Sequence, residues 1–66
     1  VSEFSENLKL CRVCLGLTQK TMASKINKAK STYRHYEDAY SEPNHRTLIK
    51  LCGLFGVTPN DLFGVY

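Results

Sequence analysis

The stretch Leu17-Thr18-Gln19-Lys20-Thr21-Met22-Ala23-Ser24-Lys25-Ile26, continued by Asn27-Lys28-Ala29, decides how this chain folds. Thr18 is placed to cap a helix, because its hydroxyl can accept from a first-turn amide that has no partner inside the helix. Met22, Ala23 and Ile26 then recur at helical spacing and supply one apolar face over roughly nine residues. Asn27 ends the run, since asparagine is one of the few residues besides glycine that tolerates a left-handed backbone. A further helix resumes almost at once, from about Ala29 to Ala39. Two helices joined by about three residues cannot lie antiparallel and instead cross at a steep angle. Ala23 fits that geometry: its small side chain lets the next helix approach closely, where a larger one would wedge the two apart.

Working outward, Phe4, Leu8, Cys11 and Leu15 follow an i, i+4, i+7, i+11 pattern, which predicts a first helix from about Glu3 to Leu15, stopped by Gly16. In the third helix Tyr33, Tyr36 and Tyr40 point one way, as core or semi-core residues rather than base-stacking aromatics. Lys30, Ser31, Arg34, His35 and Asp38 occupy the other, wet side. The segment Tyr40 to Pro43 reads as a loop, because the residue before a proline is forced out of helical geometry. Asn44 caps a fourth helix with the stripe Leu48, Leu51, Cys52 and Phe55, closed by Gly56. Thr58-Pro59-Asn60-Asp61 sets a capping hydroxyl, a proline at the first helical position and an acid three residues after the cap, ahead of a short last helix. The predicted fold class is all-α, with five short helices and tight connections.

Sixty-six residues, 42% of them hydrophobic and 23% charged, are an ordinary globular mixture for one domain spanning 1–66. So short a chain buries only about 60% of its unfolded surface, and a substrate-sized pocket would remove much of its interior, so no independent enzyme is expected. No apolar run is long enough to span a bilayer, and Val1-Ser2-Glu3-Phe4 lacks the basic start of a secretion signal, which predicts a cytoplasmic protein with no membrane partner. A first residue that is not Met points to a chain trimmed from something longer, with a missing effector or oligomerisation domain. Three cysteines cannot close into internal disulfides and read as free thiols of a reducing compartment. Cys11-Arg12-Val13-Cys14 is a C-x-x-C, but on a helix Cys11 faces the core while Cys14 turns aside, and Cys52, His35 and His45 lie far off, so no metal or other cofactor is expected.

Charge is unevenly spread. Between Glu6 and Glu37 there is no acid, while Lys9, Arg12, Lys20, Lys25, Lys28, Lys30 and Arg34 all fall there. The remainder holds six acids against two bases. That segregation suggests a positive face for a polyanion, nucleic acid being the commonest, although a solvated helix surface would give the same count.

Taken together, Leu17 to Ile26 resembles the start of the helix-turn-helix in the lambda repressor and Cro-like DNA-binding domains. Arg12 stands five residues before Leu17, Glu37 follows Tyr36, and Pro43 lies six after Glu37, as in that family. Leu48 to Val57 and Pro59 to Leu62 are similar to its fourth and fifth helices. The resemblance implies a compact five-helix domain whose helices two and three form the helix-turn-helix. It implies sequence-specific binding of double-stranded DNA by a transcriptional regulator, more often a repressor, with helix three in the major groove. It also implies an ion pair between Arg12 and Glu37 tying helix one to helix three.

Carried over by position, Lys30, Ser31, Arg34 and His35 face base edges, where lysine or arginine can reach O6 and N7 of guanine, and serine and histidine can read several bases. Thr18 and Gln19, at a helix N-terminus, contact the DNA backbone, as do Lys28, Thr32, Asn44, His45 and Arg46. A homodimer on a palindromic site follows from the same resemblance. Four positions depart from the family pattern. Asn27 stands where glycine is usual, and Lys28 replaces an apolar turn residue. Ala29 replaces the usual Ser or Thr cap, which allows a late helix start capped by Ser31 with Lys30 in the turn. Ala39 replaces a glycine, which predicts that helix three runs further before its loop. Left-over apolar residues mark candidate contact surfaces, Leu10, Val13 and Cys14 on helix one for a second subunit or a missing domain, and Phe55, Val57, Phe63 and Tyr66 near the end for a two-fold dimer. The rival reading is a protein-interaction module that keeps this scaffold without binding DNA.

Overall fold

Five helices follow in the order α1 (Glu3–Cys14), α2 (Gln19–Lys25), α3 (Lys30–Glu37), α4 (His45–Phe55) and α5 (Pro59–Phe63), in a computed structural model that describes residues 3–64. Tyr66 therefore lies outside the described residues. Local chemistry accounts for most boundaries. The Thr18 hydroxyl accepts from the Thr21 amide at 3.1 Å, and the Asn44 side chain accepts from the Thr47 amide at 2.9 Å. At α5 the box is reciprocal, with the Asp61 amide donating to Thr58 Oγ1 at 3.2 Å and the Thr58 amide to Asp61 Oδ2 at 3.0 Å. Ala29 offers α3 no such side chain, yet α3 still begins at Lys30, so Ser31 is a helical residue and not the cap.

The first three helices end alike, with a left-handed residue followed by an amide that reaches back five positions. At α1 the Leu17 amide donates to Arg12 O at 3.2 Å, at α2 Lys28 donates to Ala23 O at 2.9 Å, and at α3 Tyr40 donates to His35 O at 2.9 Å. The left-handed residues are Gly16, Asn27 and Ala39. Ala39, at φ 61°, is the costly one, because its Cβ crowds the following carbonyl. Two expectations fail here for that reason. α3 stops at Glu37 instead of running on through Ala39, and Tyr40, swung out by the reversal, is 81% exposed rather than semi-core. Leu15 fails similarly: α1 ends at Cys14, the chain turns at Gly16, and Leu15 is left 53% exposed while Leu17 packs against the core in its place. α2 is also shorter than its pattern suggests, at seven residues.

The core draws on every helix: Phe4 and Leu8 from α1, Met22 and Ala23 from α2 with Ile26 at its C-cap, Tyr33 and Tyr36 from α3, Leu51 and Cys52 from α4, Leu62 from α5. α2 packs against α3, α1 touches both α3 and α5, and α4 closes on α5. Near the chain ends the Asn7 side-chain amide donates to Leu62 O at 3.0 Å, and the Phe4 and Phe63 rings stack at 4.9 Å.

One charge pair orients α3 within this packing. Arg12 donates from Nε to Glu37 Oε2 at 2.6 Å and from Nη2 to Oε1 at 3.1 Å. Its Nη1 donates to Leu17 O at 2.7 Å, and Gln19 Nε2 donates to Glu37 Oε1 at 3.1 Å. The side chains are 12% and 2% exposed, so both charges sit largely out of water. Burial opposes ionisation of Glu37, but the Arg12 hydrogen bonds, helped by the neighbouring Tyr33 and Gln19, outweigh it and hold the carboxyl below its ordinary value. The fully buried Tyr33 hydroxyl lies beside the pair without a hydrogen bond of good geometry. Burial, and then the adjacent carboxylate, push its phenol far above the usual range.

Three outcomes follow for stability. Glu37→Gln leaves the guanidinium facing a neutral amide and should cost about 2–3 kcal/mol in urea unfolding. Because the folded carboxyl ionises more readily than the unfolded one, wild-type stability should fall as pH drops below the ordinary value of 4.5 and through the lower folded value, and Glu37→Gln should flatten that slope. Ala39→Gly should raise stability by about 1 kcal/mol by relieving the left-handed alanine, seen as a higher thermal midpoint. An unchanged midpoint would mean that Ala39 carries no strain.

Candidate nucleic-acid interface

With Tyr33 and Tyr36 turned into the core, helical spacing sends Lys30, Ser31, Arg34 and His35 to the opposite, exposed side of α3. They do not stand alone. Together with Asp38 and Tyr40 they line one shallow depression. Arg34 Nε lies 3.4 Å from Asp38 Oδ2, a solvent-exposed i,i+4 pair worth little to stability but enough to bias where the guanidinium rests. The His35 and Tyr40 rings meet edge to face at 5.2 Å.

A second depression, between α2 and α3, is lined by Lys20, Ala23, Ser24, Asn27, Lys28 and Lys30. A third, at the start of α4, is lined by Ile26, Asn27, Lys28, Asn44, Arg46, Thr47 and Lys50. Lys30 belongs to the first and second, and Asn27 and Lys28 to the second and third. The three are therefore one continuous surface, running from the end of α3 across the turn to the start of α4. Among the described residues Lys20, Lys28, Lys30, Arg46 and Lys50 have no carboxylate partner on it. Five unpaired cations along one side of so small a molecule make a strip of positive potential able to follow a chain of phosphates.

The sequence-predicted residues are distributed unevenly over this surface. Lys28, Lys30, Ser31, Arg34, His35, Asn44 and Arg46 all line it. Thr32 is half-buried on α3, and His45 is exposed at the first position of α4, but neither lines any of these three depressions. Thr18 and Gln19 are engaged within the fold, Thr18 as a cap and as donor to Thr21 Oγ1 at 3.0 Å, Gln19 as donor to Glu37. The surface also gathers Lys20, Ser24, Lys50, Asp38 and Tyr40, which the sequence does not mark as contact residues. Lys20 and Lys50 carried the signal of charge alone. Tyr40 carried none, because its place depends on the turn at Ala39.

The cysteines lie elsewhere. Cys11 is half-buried, Cys14 exposed and Cys52 buried, all as free thiols. Burial raises the Cys11 and Cys52 thiols above their ordinary value, which lowers their reactivity. Among the described residues no three His, Cys, Asp or Glu side chains are grouped to hold a metal ion, and no helix is long and apolar enough to cross a membrane. An apolar groove lined by Leu10, Cys11, Cys14, Leu15 and Phe55 shares no residue with the cationic surface.

Comparison with known proteins bears on this arrangement. A family model described as helix-turn-helix matches residues 8–62, from within α1 to within α5. The uncharacterized HTH-type transcriptional regulator YqaE of Bacillus subtilis (strain 168) is 42% identical over 55 residues, covering 83% of this chain and 47% of that protein. From the same organism, the SPbeta prophage-derived uncharacterized HTH-type transcriptional regulator YonR is 37% identical over 59 residues, 89% of this chain and 55% of that protein. The HTH-type transcriptional regulator ImmR, also of that organism, is 37% identical over 59 residues, 89% of this chain and 46% of that protein. The chain thus spans about half the length of the curated relatives it matches. No solved structure matches it. A capped α2, a four-residue turn and an α3 held by Arg12 and Glu37, inside a family match covering most of the chain, place this protein in the helix-turn-helix family of lambda repressor and Cro-like domains.

Proposed function

We propose that this chain binds double-stranded DNA sequence-specifically, as the DNA-binding part of a transcriptional regulator, with α3 lying in the major groove. The observation that carries the reading is the unbroken strip of unpaired cations running beside the exposed face of α3. Its relatives are named as transcriptional regulators, which agrees with it. The role is binding rather than catalysis, exercised in the cytoplasm and more often by blocking transcription than by promoting it.

Within this reading two groups of side chains divide the work. Lys30, Ser31, Arg34 and His35 meet base edges, with Arg34 suited to two acceptors of one guanine. Lys28, Thr32, Asn44, His45 and Arg46 hold phosphates on either side of the groove, together with the α2 start at Thr18 and Gln19. The amide of Gln19 already serves Glu37, so its contact uses the remaining N–H or the carbonyl oxygen. Extents of 30 × 23 × 22 Å suit two copies side by side on half-sites about one helical turn, roughly 34 Å, apart. A homodimer on a palindrome, with a further effector or oligomerisation domain in the whole protein, completes the proposal. The exposed apolar side chains Leu10, Val13 and Phe63 offer candidate subunit contacts.

Selection of bound sequences from a random duplex pool tests it. A two-fold symmetric consensus is the expected result. Elution from mixed-sequence DNA at low salt, with no sequence enriched, would overturn it in favour of a protein-interaction module. Arg34→Ala should lower affinity for the selected duplex by about 5- to 100-fold and relax preference at one base pair. Lys28→Ala and Arg46→Ala should instead weaken all sequences alike, each reducing the slope of log affinity against log salt by about one. Fluorescence anisotropy titrations over a salt series separate the two behaviours.

A further inference from the structure

Tyr40 is 81% exposed, more than any other large apolar side chain among the described residues. A ring left in water at such a position needs a reason, since aromatic side chains gain most by burial. The backbone supplies part of it. With Ala39 in the left-handed region, the Tyr40 amide is tied to His35 O at 2.9 Å, which delivers the ring to the end of α3 and away from the core. There it meets the His35 imidazole edge to face, with centroids 5.2 Å apart and planes at 89°. Beyond this ring contact no hydrogen bond or ion pair among the described residues holds the exposed His35 side chain. An imidazole on an open helix face would sample several rotamers and lose that freedom on binding.

We infer that Tyr40 is a positioning residue of the DNA-reading surface, which holds the His35 imidazole in one orientation toward the major groove. The inference rests on the proposed DNA-binding function and deepens it. Tyr40 acts through its ring: the contact with His35 is made by the ring, and the phenol hydroxyl is not required. The strained turn at Ala39 becomes intelligible as part of the same device, because the reversal that leaves α3 short also places the ring. Arg34 and His35, neighbours in sequence, are then each steadied by a residue four or five positions on, Arg34 by Asp38 and His35 by Tyr40.

The test uses the duplex selected by the wild-type chain and compares Tyr40→Ala, Tyr40→Phe, His35→Ala and the double variant of His35→Ala with Tyr40→Ala. Tyr40→Ala should weaken binding by about 3- to 10-fold and relax preference at the same base pair as His35→Ala, with the unfolding midpoint nearly unchanged. Tyr40→Phe should restore both affinity and preference. In the His35→Ala background Tyr40→Ala should have no further effect, because its action runs through the imidazole. If Tyr40→Ala reads the duplex as the wild type does, or if its effect persists undiminished without His35, the inference is overturned while DNA binding stands, provided that Arg34→Ala still shifts the consensus. A wild-type chain that selects no sequence would overturn both together.

Discussion

The Arg12–Glu37 pair is the constraint on which the placement of the other groups rests. One carboxylate in the last turn of α3 takes hydrogen bonds from α1 and α2, while the guanidinium that serves it also holds the carbonyl of Leu17 in the intervening turn. Apolar packing alone would not do this, since hydrophobic attraction has no direction and several rotations of α3 could bury two aromatic rings. Each residue turns a helix by about 100°, so a slip of one position would bring Tyr33 to the surface and Arg34 to the core. The bidentate pair has a fixed geometry and rejects that slip. Replacing a buried pair by apolar groups is often neutral in energy, so its value here is the single orientation it selects.

That selection is needed because α3 is weak on its own terms. It has eight residues, no side-chain cap at Ala29, and an alanine in the left-handed region just past its end. An isolated helix of this length is unstable in water, and both of its termini add to the cost. α5 is shorter still but has a reciprocal capping box, a proline at its first turn and Gly64 to close it. Local preference and tertiary placement agree at α5 and disagree at α3, the helix whose outer face carries the candidate readout. Such disagreement is common where a surface is arranged for something other than stability. Ala29 also gives the first-turn amides of α3 no side-chain acceptor, beside Lys28 and Lys30.

What could be read from the sequence follows how local each cause is. Thr18, Asn44 and Thr58 cap their helices through bonds spanning three residues, so their roles were legible from the residues themselves. Asn27 ends α2 for an equally local reason. Tyr40 and Leu15 went wrong because periodicity extrapolates a helix beyond its end, and both lie past the last helical residue beside a left-handed one, Leu15 just before Gly16 and Tyr40 just after Ala39. At Gly16 the turn residue was visible but its consequence for Leu15 was one position off. At Ala39 nothing in the residue type signals the turn, and the bond from Tyr40 to His35 imposes it against propensity. The continuity of the cationic strip was not legible either, because Lys50 joins Lys28 and Arg46 only through the packing of α4 beside the turn. Charge counting located the basic segment but could not show that its members share an edge.

The same strip sets a tension within the fold. Lys20, Lys28 and Lys30 line one depression with no carboxylate among them, so they repel one another in the free protein. The formal charge of the whole chain is only +3, so this repulsion comes from how the charges are gathered rather than from their number. A polyanion lying along the strip would relieve it, and added salt relieves it too, by screening. Salt therefore acts in opposite senses on the two properties of this surface: it steadies the free domain and weakens its hold on phosphate. The largely buried Arg12–Glu37 pair is screened much less, so the orientation of α3 depends far less on the ionic conditions that govern what α3 can bind.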